Sequence, residues 1–190
     1  MKFDNYGKIR CGWCEKDDLY RKYHDEEWGR PVYNDEMLFE FLILESFQAG
    51  LSWYTILSKR ENFRKAFDHF DYKKVAAYSE KKIEELMNNP GIIRNRLKIL
   101  AAVTNAQRFM EIQKEFGSFS NYIWNFTGGK PIDNSPRTLA DVPATTEISD
   151  LISKELKKRG FKFVGSTVIY AHMQATGMVN DHIKDCFTRK

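Results

Sequence analysis

Five residues of this 190-residue chain carry metal-binding chemistry: Cys11, Cys14 and His24 near the start, His182 and Cys186 near the end. His182 and Cys186 are four apart, so on a helix they share one face and can grip one ion. Thiolate with imidazole favours zinc, and two of each make a closed tetrahedral site with no position left for water. Such a site would staple the two ends of the chain together and leave the chemistry elsewhere. Cys11-Gly-Trp-Cys14 is also a C-x2-C pair. It can be read as a zinc knuckle, with His24, His182 and Cys186 competing for the remaining places, or as a redox disulfide, although no βαβ pattern surrounds it.

A second candidate is Glu45. Helical spacing puts it on a stripe with Leu38, Phe41, Leu42 and Ala49, facing the apolar interior. A carboxylate there must be paired or functional, because burying it alone costs several kcal/mol. Gln48, Gly50, Leu51, Ser52 and Trp53 follow it, and Trp13, Tyr20, Tyr23 and Trp28 crowd the N-terminal segment. Aromatic walls with one inward carboxylate describe a pocket for a flat, cationic or electron-poor ring. Core packing is the expected role of Trp28 and Trp124.

The third feature is the turn from Gly160 to Gly165, followed by Ser166 and Thr167. Two glycines five apart around an apolar plug predict a tight helix-to-helix turn whose second helix opens with free N–H groups, which bind phosphate oxygens. Lys157, Lys158 and Lys162 lie beside it, so the turn can hold a nucleic-acid strand without reading its sequence. A plain structural hairpin accounts for the same residues.

The elements that must position these groups are helical. A helix over Glu36 to Ala49, apolar on nearly every side, belongs in the middle of a bundle, with Gly50 at its end. Ser52 is expected to cap a helix from Trp53 to Phe67, and Asp71 and Ser79 to cap two short helices reaching Met87. After the turn Asn89-Pro90-Gly91, a long helix is expected from Ile92 to Phe116, closed by Gly117, and then a short one from Phe119 to Phe126. Lys130 to Ala144 reads as a connecting loop. Helices resume over Glu147 to Arg159, with Gly160 in the left-handed position, and over Ser166 to Thr176, ended by Gly177. Strand alternation is nearly absent and nothing repeats, so the fold class is all-α.

Composition sets outer bounds. Hydrophobic residues at 42% and aromatics at 14% supply the core of one domain or of two small lobes. The opening Met1 to Lys8 has no apolar leader and no stretch is long enough to span a membrane, so a soluble intracellular protein is expected. Three cysteines argue against a secreted disulfide framework. A net charge of +4 permits a polyanionic partner, and basic residues gather in Arg94 to Lys98 and Lys154 to Lys162.

Five sequence blocks carry a family resemblance. They are Cys-Gly-Trp at 11 to 13, Tyr-x2-Tyr-His-Asp-x-Glu-Trp-Gly from Tyr20, Leu-Glu-x3-Ala-Gly-Leu-Ser-Trp from Leu44, Lys-Lys-Arg-Gly-Phe-Lys-Phe-Val-Gly from Lys157, and Val-Asn-Asp-His from Val179. In this order they resemble the 3-methyladenine DNA glycosylase I family over essentially the whole chain. The resemblance implies a helix-hairpin-helix glycosylase fold in one domain, Met1 to Lys190, with two helical lobes, a cleft and a zinc site joining the termini. It places the zinc ligands on Cys11, His24, His182 and Cys186, and makes Cys14 a departure from the family pattern. Glu45 becomes the catalytic acceptor for the base, with Trp13, Tyr20, Tyr23 and Trp53 as its walls. Leu51 resembles the wedge that fills the duplex gap, and Lys162, Gly165 and Ser166 fall on the DNA-gripping hairpin. Asp181, beside one of the implied ligands, is read as structural.

The implied activity is excision of 3-methyladenine from alkylated double-stranded DNA by a cytoplasmic monomer that does not nick the strand. Two rivals are a non-enzymatic zinc-stapled DNA-binding module and a zinc hydrolase. The first gives no reason for an inward Glu45, and the second needs an open coordination position.

Overall fold

Short polar side chains set where the helices begin. Asp17 accepts the Tyr20 amide to open α1 (Asp18–Glu26), Asn34 opens α2 (Asp35–Gln48) and Ser52 opens α3 (Trp53–Leu57). α4 (Arg60–Ala66) comes directly after, then Asp71 opens α5 (Tyr72–Ala76) and Ser79 opens α6 (Glu80–Met87). Asn95 and Ser118 cap α7 (Arg96–Phe116) and α8 (Phe119–Asn125), and a Thr146/Ser149 capping box opens α9 (Glu147–Lys158). α10 (Ser166–Ala175) completes the set. The computed structural model describes residues 7–189; Met1 to Tyr6, part of the stretch without an apolar leader, and Lys190 lie outside them.

The all-α expectation is met by a mostly helical chain. Its one sheet among the described residues is a parallel pair, β1 (Ile132–Asp133) with β2 (Val179–Asn180), which ties the 130–144 connection to the C-terminal segment.

α2 occupies the centre. Every residue from Leu38 to Phe47 is buried, as an all-round apolar helix requires, and α10, α3, α7 and α8 pack around it. Phe39 stands edge-on to Phe109 at 5.2 Å, and Phe109 stacks on Phe119 at 4.1 Å, locking α2, α7 and α8 together. Full burial of each such ring is worth about 1.5–3 kcal/mol. A smaller apolar cluster holds Cys11, Tyr23, Trp28, Phe41, Ile183 and Cys186, and Trp53 packs against both cores. Arg60 is buried and bonds Glu40 and Glu27, each at 2.6 Å, which fixes α4 against α2 and the end of α1.

Three sequence expectations need correction. The helix expected over Trp53 to Phe67 is two helices, because Ser58 and Lys59 end the first, with Lys59 at φ −105°, ψ 2°. The long helix starts at Arg96 and not Ile92, since the Asn95 side chain takes the Lys98 amide and residues 92–95 still belong to the preceding turn. His182 and Cys186 are not on an α-helix. The local amides are spent elsewhere: His182 N–H on Asn180 Oδ1 at 3.2 Å and Lys184 N–H on the Pro136 carbonyl at 2.7 Å. Gly160 does take the left-handed conformation, φ +89°, that closes α9.

Candidate functional site

α2 and α1 build one wall of a cavity of about 350 Å³. α2 contributes Glu45 and Gln48, and α1 contributes Tyr20 and Tyr23 on successive turns. Trp13 projects from a short 3-10 turn, Gly12–Cys14, Trp53 is the first residue of α3, and Ala171 and Gln174 come from α10. Leu139 and Val142 close one side from the connecting loop. The rings brace one another: Trp13 lies 4.9 Å from Tyr20 and 5.1 Å from Trp28, both edge-on, and Tyr23 lies 5.3 Å from Trp53. Asp17, which caps α1, also accepts a short hydrogen bond from Tyr54, so α3 clamps the turn that carries Tyr20.

Glu45 is only 3% exposed. Its Oε2 and the Trp53 Nε1 are buried polar atoms without a hydrogen-bond partner, and both residues line this cavity. Native interiors rarely leave such groups unpaired, and where they do a ligand commonly completes them. Burial holds the Glu45 carboxyl well above the usual carboxylate range, and burial first, then the neighbouring Glu45, raises the Tyr23 hydroxyl in the same way. A cation brought against Glu45 would supply the charge that burial withholds.

A smaller cavity of about 190 Å³ adjoins the first and shares Glu45, Gln48 and Ala171 with it. Gly50 and Leu51 form its rim opposite Thr167 and Val168, and the Leu51 side chain is 40% exposed. The hairpin between α9 and α10 lies beyond. Asn105 of α7 accepts the Lys162 amide at 2.8 Å and donates to its carbonyl at 3.0 Å, while the Ser153 hydroxyl donates to the Val164 carbonyl at 2.7 Å. Gly165 precedes α10 without a side-chain cap, so the first N–H groups of that helix are left for an external acceptor. Lys154, Lys157, Lys158 and Ser166 line a shallow groove beside it.

The two Cys/His clusters converge. One ligand atom from each of Cys11, His24, His182 and Cys186 lies within 4.8 Å of the other three, and all four residues are buried. Each imidazole is oriented by its outer nitrogen: His24 Nδ1 faces Asp25 Oδ1 at 2.8 Å, and His182 Nε2 faces the Trp28 carbonyl at 2.9 Å. Both acceptors fix the proton on that outer side. The inner nitrogens, His24 Nε2 and His182 Nδ1, then point lone pairs at each other across 3.2 Å. Two facing lone pairs with two thiol sulfurs beside them fit a cation and little else. Contact with Cys11, and then with His182 and His24, pulls the Cys186 thiol well below its ordinary value. This set can hold a metal ion. Cys14 stands apart, its thiol donating to the Cys11 carbonyl at 3.1 Å and pushed up to about 12, chiefly by burial.

The geometry thus brings Trp13, Tyr20, Tyr23, Glu45 and Trp53 into one cavity and Cys11, His24, His182 and Cys186 into another cluster. Leu51 sits on the rim, and Lys162, Gly165 and Ser166 lie on the hairpin. Trp124 packs in the core as expected, its Nε1 on the Val32 carbonyl. Trp28 packs but also lines the cavity and meets the His182 ring at 4.6 Å, so it joins the two sites. Gln174 was not singled out by sequence; its amide donates to the buried Asp181 at 2.8 Å while the residue lines the cavity. Tyr170 and Asn134 donate to the same carboxylate, which supports a structural part for Asp181.

Comparison with known proteins places the chain in a family. A family model described as methyladenine glycosylase matches residues 13–189. The DNA-3-methyladenine glycosylase 1 of Escherichia coli K12 is 48% identical over 177 residues, spanning 93% of this chain and 95% of its own. A DNA-3-methyladenine glycosylase of Haemophilus influenzae is also 48% identical over 177 residues, spanning 93% of this chain and 96% of its own. A crystal structure of 3-methyladenine DNA glycosylase I superposes with a TM-score of 0.92 at 47% identity, covering 94% of this chain and 98% of that one. The Staphylococcus aureus enzyme, solved to explain 3-methyladenine recognition, gives 0.92 at 39% identity, covering 95% and 96%. The chain belongs to the methyladenine glycosylase family.

Proposed function

We propose that this protein is a DNA repair glycosylase that excises 3-methyladenine from alkylated double-stranded DNA and leaves the strand uncut. The observation that carries the reading is the unpaired Glu45 carboxyl at the wall of an aromatic cavity. Its relatives' names supply the lesion. The chain acts as one glycosylase domain of the helix-hairpin-helix type, and the α9–α10 turn with its uncapped helix start supports that assignment.

A base stacked inside a duplex cannot enter a cavity in the protein, so the nucleotide must leave the stack, at a cost of a few kcal/mol. Lys162, Gly165 and Ser166 grip the backbone, and Leu51 enters the gap left behind. N3-methylation gives adenine a positive charge. Glu45, ionised by that charge, accepts from the base, while Trp13, Tyr20, Tyr23 and Trp53 enclose its faces and edges. A neutral adenine offers no charge to repay ionising a buried carboxyl, so it is excluded. In the cleavage step the C1′–N9 bond breaks and its electron pair neutralises the base. Water then adds to C1′ and loses a proton, leaving an abasic sugar.

Cys11, His24, His182 and Cys186 are the ligands of one zinc ion, which the thiol and imidazole donors and their outer-shell partners support. An ion held by these four residues would cross-link the two chain ends and fix His24, and with it the helix that carries Tyr20 and Tyr23, while Trp28 packs on the His182 ring. A DNA substrate and three cysteines that form no disulfide suit the reducing cytoplasm.

The test is turnover on methylated duplex DNA. A glycosylase creates alkali-labile abasic sites in molar excess over protein without breaking the strand directly. Binding with no abasic sites formed would instead establish the non-enzymatic module.

A further inference from the structure

Lys98 lies in the first turn of α7 and is only 7% exposed, an unusual place for a lysine. Its ammonium donates to the carbonyl of Phe47 at 2.8 Å and to that of Ala49 at 2.6 Å. Both carbonyls belong to the C-terminal end of α2, where the backbone lacks intrahelical donors and the helix dipole is negative. The carbonyl between them, that of Gln48, takes the Leu51 amide at 2.6 Å. Three consecutive carbonyls are therefore fixed, two of them by one charge reaching over from another helix.

An ordinary helix end needs much less. Backbone amides turned back past a left-handed glycine, or a water, satisfy such carbonyls at little cost, whereas a buried ammonium is expensive and burial lowers its pKa. This helix end leads into the short loop Ala49 to Leu51, with Gly50 at φ +81° and Leu51 exposed at the tip. Glu45 stands one turn before it. We propose that Lys98 is a positioning residue for duplex opening: it locks the 49–51 loop so that Leu51 is already in its inserted geometry when DNA arrives. This rests on the proposed wedge role of Leu51.

The test compares Lys98→Met and Leu51→Ala with the unaltered chain on one batch of methylated DNA, used as duplex and after strand separation. Free 3-methyladenine binding, read by tryptophan fluorescence, is measured alongside. With one charge-assisted bond set lost, Lys98→Met should slow excision from duplex by about tenfold or more. Excision from separated strands and free-base affinity should change less than about twofold. Leu51→Ala should show the same duplex-specific loss, and Lys98→Arg should restore duplex activity. Equal loss on both DNA forms, or loss of free-base binding, would make Lys98 a merely structural residue and overturn the proposal. A normal Lys98→Met beside an impaired Leu51→Ala overturns the Lys98 proposal alone, and a fully active Leu51→Ala overturns the wedge role with it. If Lys98→Met does not fold, Lys98→Gln is judged by the same criteria.

Discussion

Replacing Glu45 by Gln keeps the shape of the side chain and removes its charge, which produces two effects of opposite sign. In the free protein Oε2 has no partner and burial raises the carboxyl pKa. A group raised on folding contributes fully below its unfolded value, near 4.5, and that contribution is lost as pH rises through the folded value. Above that range the native protein carries the cost of an unsatisfied buried carboxyl, of order 1–3 kcal/mol. Glu45→Gln should therefore raise the melting temperature by an amount that grows as pH rises above about 4.5, up to about 2–12 °C once the carboxyl is ionised, at about 2–4 °C per kcal/mol for this size. The gain should vanish near pH 4. Excision should move the other way, because the amide cannot offer a charge-assisted bond to the cationic base. The loss is about 1.5–3 kcal/mol, or about 10- to 150-fold in rate. Calorimetric melting across pH and single-turnover release of 3-methyladenine measure the two effects. A variant that is less stable at every pH, with excision unchanged, would show that Glu45 serves packing and would refute the reasoning.

The metal cluster and the backbone give further expected outcomes. Purified protein should carry one zinc ion per chain by elemental analysis; Cys186→Ser should lose it, while Cys14→Ser should keep it because that thiol faces the Cys11 carbonyl. Gly177 ends α10 at φ +67°, and a Cβ there would lie 2.2 Å from the backbone carbon of Arg30. Gly177→Ala should accordingly lower stability by more than about 4 kcal/mol, read from the denaturant midpoint.

Much of the helical layout is written locally. Caps such as Ser52, Asp71 and Ser79 are single residues acting on amides two or three positions away, so their positions survive inspection of the chain alone. The break at Ser58 and Lys59 leaves no proline or glycine behind. The first helix, opened by Asp17, carries its apolar groups within motifs that draw attention to chemistry before structure. His182 and Cys186 show the opposite case: their four-residue spacing suggested an α-helix, but convergence comes from a turn held by Asn180 and Pro136, which no local pattern reveals. Glu45 was legible because a carboxylate on an apolar stripe is costly. Gln174 and Lys98 were not, because one polar residue on a helix becomes informative only when its distant partner, Asp181 or the end of α2, is known.

The most direct measurement is a mass-spectrometric inventory of the bases released when the protein is incubated with methylated duplex DNA. A pocket that repays ionisation of Glu45 only with a charged ring predicts free 3-methyladenine, with no unmodified adenine above the level of spontaneous loss. Release of normal adenine at a comparable rate, or no release of 3-methyladenine, would contradict it.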